Sequence, residues 1–411
     1  MKRIILFVLA VQLLQPLPAQ RLLRRDCIES AIISVDTAAG NDAALRFLVP
    51  LLQDKRVVLI GESSHGIGDY YAFKSRLVQF LHRELGYNVL AMESGIGDVY
   101  LEYKKADTIS ARQLRNNTVF GNFRCREILP LFDYILQQAK GNKPLVYAGF
   151  DSQNFNASFA FLEQLLREEA ATAADSILYG LGRYYTIPSM LWQEDKQPLF
   201  RVADTIRRAA EAAMAILQQH EASLRQRHAL SDTDWLILLR TLRNHRDGVT
   251  LDWNRDDPVA RRDSLMAQNL FWLMDTLYPG SKFIIWAHNG HIDKGGVTGT
   301  TQKWMGHYIR ERFGDKSYHI GLFAQEGSTY EWWTRTNKTF NNNKPDDIEH
   351  YFTRYPLSFM NLQQASQKQC PLVQRPWFGF ELENGGRISF IPARRFDGIF
   401  GFRKVSLPDY K

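Results

Sequence analysis

The run Lys282-Phe-Ile-Ile-Trp286 leads straight into Ala287-His288-Asn289-Gly290-His291, and Arg56-Val-Val-Leu-Ile60 leads straight into Gly61-Glu62-Ser63-Ser64-His65-Gly66. Short apolar runs, each closed by a polar, Gly-bearing turn, suit parallel strands buried on both faces. An open α/β sheet brings two such strand-then-histidine junctions together at the carboxyl ends of its strands, where it also places its ligands. These two stretches nominate a polar, His- and Glu-rich site.

Working outward, Asn88–Met92, Leu145–Phe150 and Tyr318–Phe323 repeat the strand pattern. Between the first two strands, Leu77, Phe80, Leu81 and Leu85 fall at helical spacing, and Gly86 follows as a C-terminal glycine should. The result is a βαβ unit. From about Ala157 to His245 the chain is rich in Ala, Leu, Arg and Glu with almost no β-run, and Phe161–Ala174 and Val202–Arg227 read as long helices. After Gln325, Trp332, Trp333, Phe340, Trp377 and Phe378 among Asn and Gly predict loops and short strands closing one side. The expected class is α/β: a mainly parallel central sheet flanked by helices, with a helical insertion lobe, about residues 155–250, over an aromatic-lined strand-end cleft.

The 411 residues carry a formal net charge of +7, but Lys and Arg are scattered and no nucleic-acid motif or basic tail is present. A solvated basic surface follows, with no nucleic-acid partner. Lys2 and Arg3 precede an apolar stretch from Ile4 to Leu14 and then Leu17-Pro18-Ala19, the pattern of a secretory signal over residues 1–19. That stretch is shorter than the about 20 residues a membrane span needs. The expectation is therefore a periplasmic or secreted protein, residues 20–411, with no stable membrane insertion. Of the three cysteines Cys27, Cys125 and Cys370, an exported chain has room for one disulfide and one free thiol, and spacing does not choose the pair.

The strand ends present Glu62 and His65, then Glu93, then Asp151 and Gln153, then His288, Asn289 and His291, and finally Gln325 and Glu326. Such a cluster favours activation of water. A neutral imidazole takes a proton near neutral pH. Glu62, three residues before His65, orients that ring, Glu93 serves the same water, and His288 and His291 donate to a developing oxyanion. Two alternatives use the same region. Gly61-Glu62-Ser63-Ser64-His65 approaches a nucleophile elbow but has His where the last Gly belongs, so Ser63 or Ser64 is a weak nucleophile candidate. His65, His288, His291, Glu62 and Glu93 are also zinc- or iron-binding residue types, which leaves open a metal-dependent hydrolase of a peptide or amide. A third possibility keeps the cleft for binding without turnover.

Gly61-Glu-Ser-Ser-His-Gly, Glu93, Gly149-Phe-Asp-Ser-Gln153 and Trp286-Ala-His-Asn-Gly-His291, in this order, resemble the erythromycin esterase family. The resemblance implies an α/β core with a helical lobe, a cyclic-ester substrate opened by water, and His65 as general base beside Glu62, Glu93, His288 and His291. It implies substrate contacts from Lys74, Asp151, Gln153, Asn289 and Arg262, a small-molecule ester as partner and no cofactor. Two features qualify it: Lys74 stands where the family often shows Arg, and Arg262-Asp263 opening a helix resembles a family feature but also reads as a helix-terminal charge pair.

Overall fold

The computed structural model describes residues 27–36, 42–153, 156–190, 195–249, 258–295, 303–368, 370–384 and 386–410. The expected export segment, residues 1–19, lies outside them. The strands are β1 (Ile32–Ser34), β2 (Val57–Ile60), β3 (Val89–Gly95), β4 (Val146–Asp151), β5 (Phe283–Trp286), β6 (Ser317–Glu331), β7 (Thr336–Asn341), β8 (Leu357–Asn361), β9 (Trp377–Glu381), β10 (Gly386–Phe390) and β11 (Gly398–Val405).

Alternate residues of the central strands enter two different cores. Val58, Ile60, Leu90, Met92, Ile284 and Trp286 face one helical layer, and Val57, Leu59, Val89, Ala91, Phe283 and Ile285 face the other. Burial on both faces is why β2 reads as four consecutive aliphatic residues, each fully buried. Each such side chain contributes about 1.5–3 kcal/mol relative to exposure.

The main sheet has the order β1-β8-β11-β6-β2-β5-β3-β4, with β7 added beside the outer part of β6. Every pairing from β11 across to β4 is parallel, while β1 with β8, β8 with β11, and β6 with β7 are antiparallel. The α/β class is as expected, but three details differ. The helix Gly68–Leu85 does connect β2 to β3, yet β5 lies between those strands, so their junctions are not adjacent. The C-terminal part does more than close a side, since β8 and β11 extend the main sheet and only β9 and β10 form a separate pair. Finally, β6 runs through Gln325 and Glu326 to Glu331, so those two residues do not stand at a strand end. The helix Gly68–Leu85 stops where expected, at Gly86 with φ +68° and its N–H returned to His82 O.

Helices from Ala157 to Gly248 form the expected lobe, with a core that includes Leu165, Ile177, Ala210 and Trp235. Both long helices predicted here are interrupted. Ala170 separates Ala157–Glu169 from Ala171–Gly182, and His220 separates Gln197–Gln219 from Glu221–Arg227. Neither break carries Gly or Pro. Instead Glu169, beside the first break, pairs with Arg227 and with His220 Nδ1 at 2.8 Å, so tertiary packing ties the two breaks together where periodicity predicts continuity. Cys27 is bonded to Cys370 across 343 residues, and Cys125 is a free, buried thiol.

Candidate active site

The parallel strands β2, β3, β4 and β5 end on one edge and deliver Glu62 and His65, Glu93, Asp151, and His288 to His291 to it. The loop after β2 is stitched to β6. A β-carbon on Gly66 would lie 2.1 Å from the Tyr330 carbonyl, and the Tyr330 N–H donates to the Gly66 carbonyl at 3.0 Å. Only glycine permits that approach. The Tyr71 hydroxyl donates to the His65 carbonyl, which fixes the residue from the helix side.

His65 Nδ1 lies 3.2 Å from Glu62 Oε1, and the imidazole keeps 18% of its side-chain surface. Glu62 has none exposed. Its other oxygen accepts from Lys74 Nζ, which also donates to the Ala287 carbonyl at 3.3 Å and sits 4.2 Å from the centre of the Trp286 ring. Burial pulls the Lys74 ammonium down to about 8, against the opposing pull of Glu62 and Glu93. Burial also acts to lower the His65 pKa, but the Glu62 hydrogen bond and the charges of Glu383, Glu93 and Glu62 outweigh it, leaving the value raised above 6.5.

The second half of the site is a buried charge network. Arg262 donates through Nη2 to Glu93 Oε1 at 2.8 Å and also to Asp151 Oδ2, with Nε reaching Asp151 Oδ1 at 3.2 Å. His291 Nδ1 meets both oxygens of Asp263, at 2.9 and 3.0 Å, and its Nε2 lies 3.4 Å from Glu93 Oε1. Burial disfavours the imidazolium, but Asp263 and Glu93 outweigh it and raise the His291 pKa. Arg262 Nη1 donates to His291 Nε2 at 3.0 Å, which places the ring proton on Nδ1, toward Asp263. Three carboxylates, Glu93, Asp151 and Asp263, face Arg262 and His291. Although burial favours the neutral acid at Glu93, His291 and Arg262 hold it well below the usual carboxylate range. In β3 the register with β4 shifts between Met92 and Gly95, where Glu93 sits, and such irregularities re-aim side chains.

His288 bridges the halves. Its main-chain N–H donates to Glu93 Oε2 at 3.2 Å, and its ring centre lies 5.0 Å from that of His65. Five residues thus converge as expected: Glu62, His65, Glu93, His288 and His291. The residues expected to touch substrate divide. Arg262 reaches the site with 17% of its side chain exposed. Lys74 and Asp151 are buried and serve Glu62 and Arg262. Asn289 is also buried, its amide donating to the Leu322 carbonyl at 3.0 Å and accepting the Leu322 N–H at 3.3 Å, which locks the loop after β5 to β6. Gln153 is half-buried and its main-chain N–H donates to Asp151 Oδ1 at 3.1 Å. The serine hydroxyls are occupied elsewhere: Ser63 Oγ with Tyr70 OH at 3.0 Å, and Ser64 Oγ with Thr329 Oγ1 at 2.7 Å.

The erythromycin esterase family profile matches residues 82–405. The chain belongs to that family of hydrolases. It is 28% identical over 337 residues to "Putative hydrolase YbfO" of Bacillus subtilis, covering 76% of this chain and 74% of that one. To "Erythromycin esterase type II" of Escherichia coli it is 19% identical over 313 residues, covering 68% and 71%. A solved Bacillus cereus protein shares the fold at TM-score 0.75 and 18% identity, over 95% of this chain and 99% of that one. A mutant of the erythromycin esterase EreC in its open conformation does so at 0.62 and 15%, over 92% and 98%.

The family match contains Glu93, Asp151, Arg262, Asp263, His288 and His291, whereas Glu62, His65 and Lys74 precede it. In this member the helix residue behind Glu62 is Lys74, which supplies the charge with a single ammonium where a guanidinium would make a fork. Sequence reasoning missed one residue of the site, Glu383, whose carboxylate accepts the His65 main-chain N–H at 2.8 Å. No strand-then-turn signal marks it, because it stands in a short turn, Leu382–Asn384, between β9 and β10. Asp263, read either as a family feature or as half of a helix-terminal charge pair, holds His291, and it also accepts the Met305 N–H at 2.8 Å. Among the described residues no group of three or more His, Cys, Asp and Glu side chains is arranged to hold a metal ion, and no helix is long and apolar enough to cross a membrane.

Proposed function

We propose that this protein hydrolyses a bulky ester, the macrolactone of an erythromycin-type antibiotic or a related compound, with water activated by His65. The observation that carries the reading is the pair of His65 Nδ1 and the buried Glu62 at 3.2 Å, with Lys74 pinning Glu62 from behind. Glu62 keeps the proton of the neutral ring on Nδ1, which leaves Nε2 as the base. Nε2 takes a proton from water, the hydroxide adds to the ester carbonyl carbon, and negative charge moves to the carbonyl oxygen. His288 and the Arg262 guanidinium, with His291 beside it, are the groups assigned to stabilise that charge. The His65 imidazolium then returns the proton to the alkoxide as the carbon–oxygen bond breaks, giving an acid and an alcohol.

Incubating the purified protein with macrolides and simple lactones and weighing the products tests this. A macrolide heavier by one water is the expected result, and no product from any ester would end the esterase reading. The rate should also be bell-shaped in pH. His65 must be neutral, and its pKa is raised, so kcat/KM should rise through a limb above pH 6.5. Lys74 must be charged to hold Glu62, so kcat/KM should fall through a limb near pH 8. A rate flat from pH 6 to 9 would remove both assignments.

The same reading puts the protein in the periplasm or the medium. The basic and apolar pattern from Lys2 to Leu14 supports this, as does the Cys27–Cys370 bond, since such bonds persist in oxidising compartments. Fractionation with mass measurement of the N-terminus should find an exported chain beginning at Gln20. A cytosolic chain beginning at Met1 would overturn it.

A further inference from the structure

The turn between β9 and β10 comes from a strand pair outside the main sheet, yet it is fastened to the His65 loop. The Leu382 N–H donates to the Ser63 carbonyl at 3.2 Å. Glu383 Oε1 accepts the His65 N–H at 2.8 Å and the Ser64 hydroxyl at 3.3 Å. Its second oxygen, Oε2, is buried, makes no hydrogen bond, and lies 3.4 Å from His288 Nε2, a buried nitrogen also without a hydrogen bond among the described residues. At that distance the two atoms face each other without forming a hydrogen bond. His288 Nδ1, by contrast, accepts the Gly290 N–H at 3.1 Å. An imidazole nitrogen that accepts carries no proton, so neutral His288 bears its proton on Nε2.

We propose that Glu383 is a positioning residue of this active site: it clamps the His65 main chain with one oxygen and holds the His288 proton on Nε2, beside His65, with the other. This assignment rests on the hydrolytic reading above. It explains an otherwise costly arrangement, since two buried polar atoms facing each other at 3.4 Å are each a full bond short. The Nε2–H stays loosely held by Glu383 and is free to move to a substrate oxygen as charge develops there, so donor and acceptor are oriented before substrate arrives. Burial would favour the neutral acid, but His288 and His65 keep Glu383 ionised with a pKa of about 2. The groups facing His65 are then Glu62 from its own loop with Lys74 behind it, Glu93 from β3, His288 from the loop after β5, and Glu383 from the hairpin turn.

Imidazole NMR on histidine-labelled protein tests the assignment without needing the substrate, with His65→Ala and His288→Ala used to assign the two rings. In the wild type, His288 should show the tautomer protonated on Nε2, and a ring protonated on Nδ1 would overturn the proposal at once. In Glu383→Gln, which keeps the shape and removes the charge, the His65 pKa should fall by about half a pH unit or more, and the acid limb of kcat/KM should move down with it. A folded Glu383→Gln protein with an unmoved His65 titration would also overturn it. If that variant does not fold, Glu383→Asp restores the charge, and its His65 pKa should stay raised; a value at or below 6.5 counts against the proposal. Loss of activity in His65→Ala with no change of any kind in Glu383→Gln would sink this assignment alone, whereas a fully active His65→Ala would sink the assignment of His65 as the base on which it rests.

Discussion

Replacing His65 with alanine is expected to lower ester turnover by about 10²–10⁴-fold, the usual contribution of a general base. The loss should fall on kcat, because the imidazole acts on water in the transition state rather than holding the substrate. The ring is partly exposed and its main chain is fastened independently, by Tyr71 to the carbonyl and Glu383 to the N–H, so the loop should keep its shape without it. Unfolding in urea should therefore be nearly unchanged. A fall of less than about tenfold would mean that another group takes the proton. Ser63→Ala and Ser64→Ala make the matching control: both hydroxyls are buried against other hydroxyls, and a dead variant at either would restore a serine nucleophile.

Arg262→Met carries the largest expected effect on stability. Arg262 and His291 face three buried carboxylates, and the guanidinium alone serves both Glu93 and Asp151. Removing it strands charges that cannot reach water. Breaking a buried pair in this way costs about 3–5 kcal/mol. The midpoint of urea unfolding should fall with the slope unchanged. Adding Asp151→Asn should recover part of the loss, because it deletes one of the stranded charges. Arg262→Lys should fall in between, keeping the charge but not the fork that spans two carboxylates. A loss below about 1 kcal/mol would show that solvent reaches the network and that Arg262 is free to bind substrate instead.

Much of the fold was legible because burial on both faces leaves a plain mark. Val57–Ile60 and Phe283–Trp286 read as uninterrupted apolar runs since neither face meets water, and the polar turn after each run announces a strand end. Helix ends governed by backbone geometry were legible too, as at Gly86. What periodicity could not reveal were features decided by contacts across the chain. The breaks at Ala170 and His220 are tied together by contacts of Glu169 with Arg227 and His220, and β11 joins the main sheet although it stands in the stretch expected only to close one side with loops and short strands. Gly401 is needed there because a β-carbon would lie 2.0 Å from the Phe352 ring.

The site divides along the same line. By itself the sequence determined which residues stand at the strand ends, because alternation and turn chemistry are local: Glu62, His65, Glu93, Asp151, His288 and His291. Only the tertiary structure decided what each one does. Lys74 lies 12 residues from Glu62, Asp263 28 from His291, and Glu383 318 from His65, and no local rule links such positions. Which role an imidazole takes depends on the partners that meet each of its two nitrogens, and those partners are a property of the assembled fold.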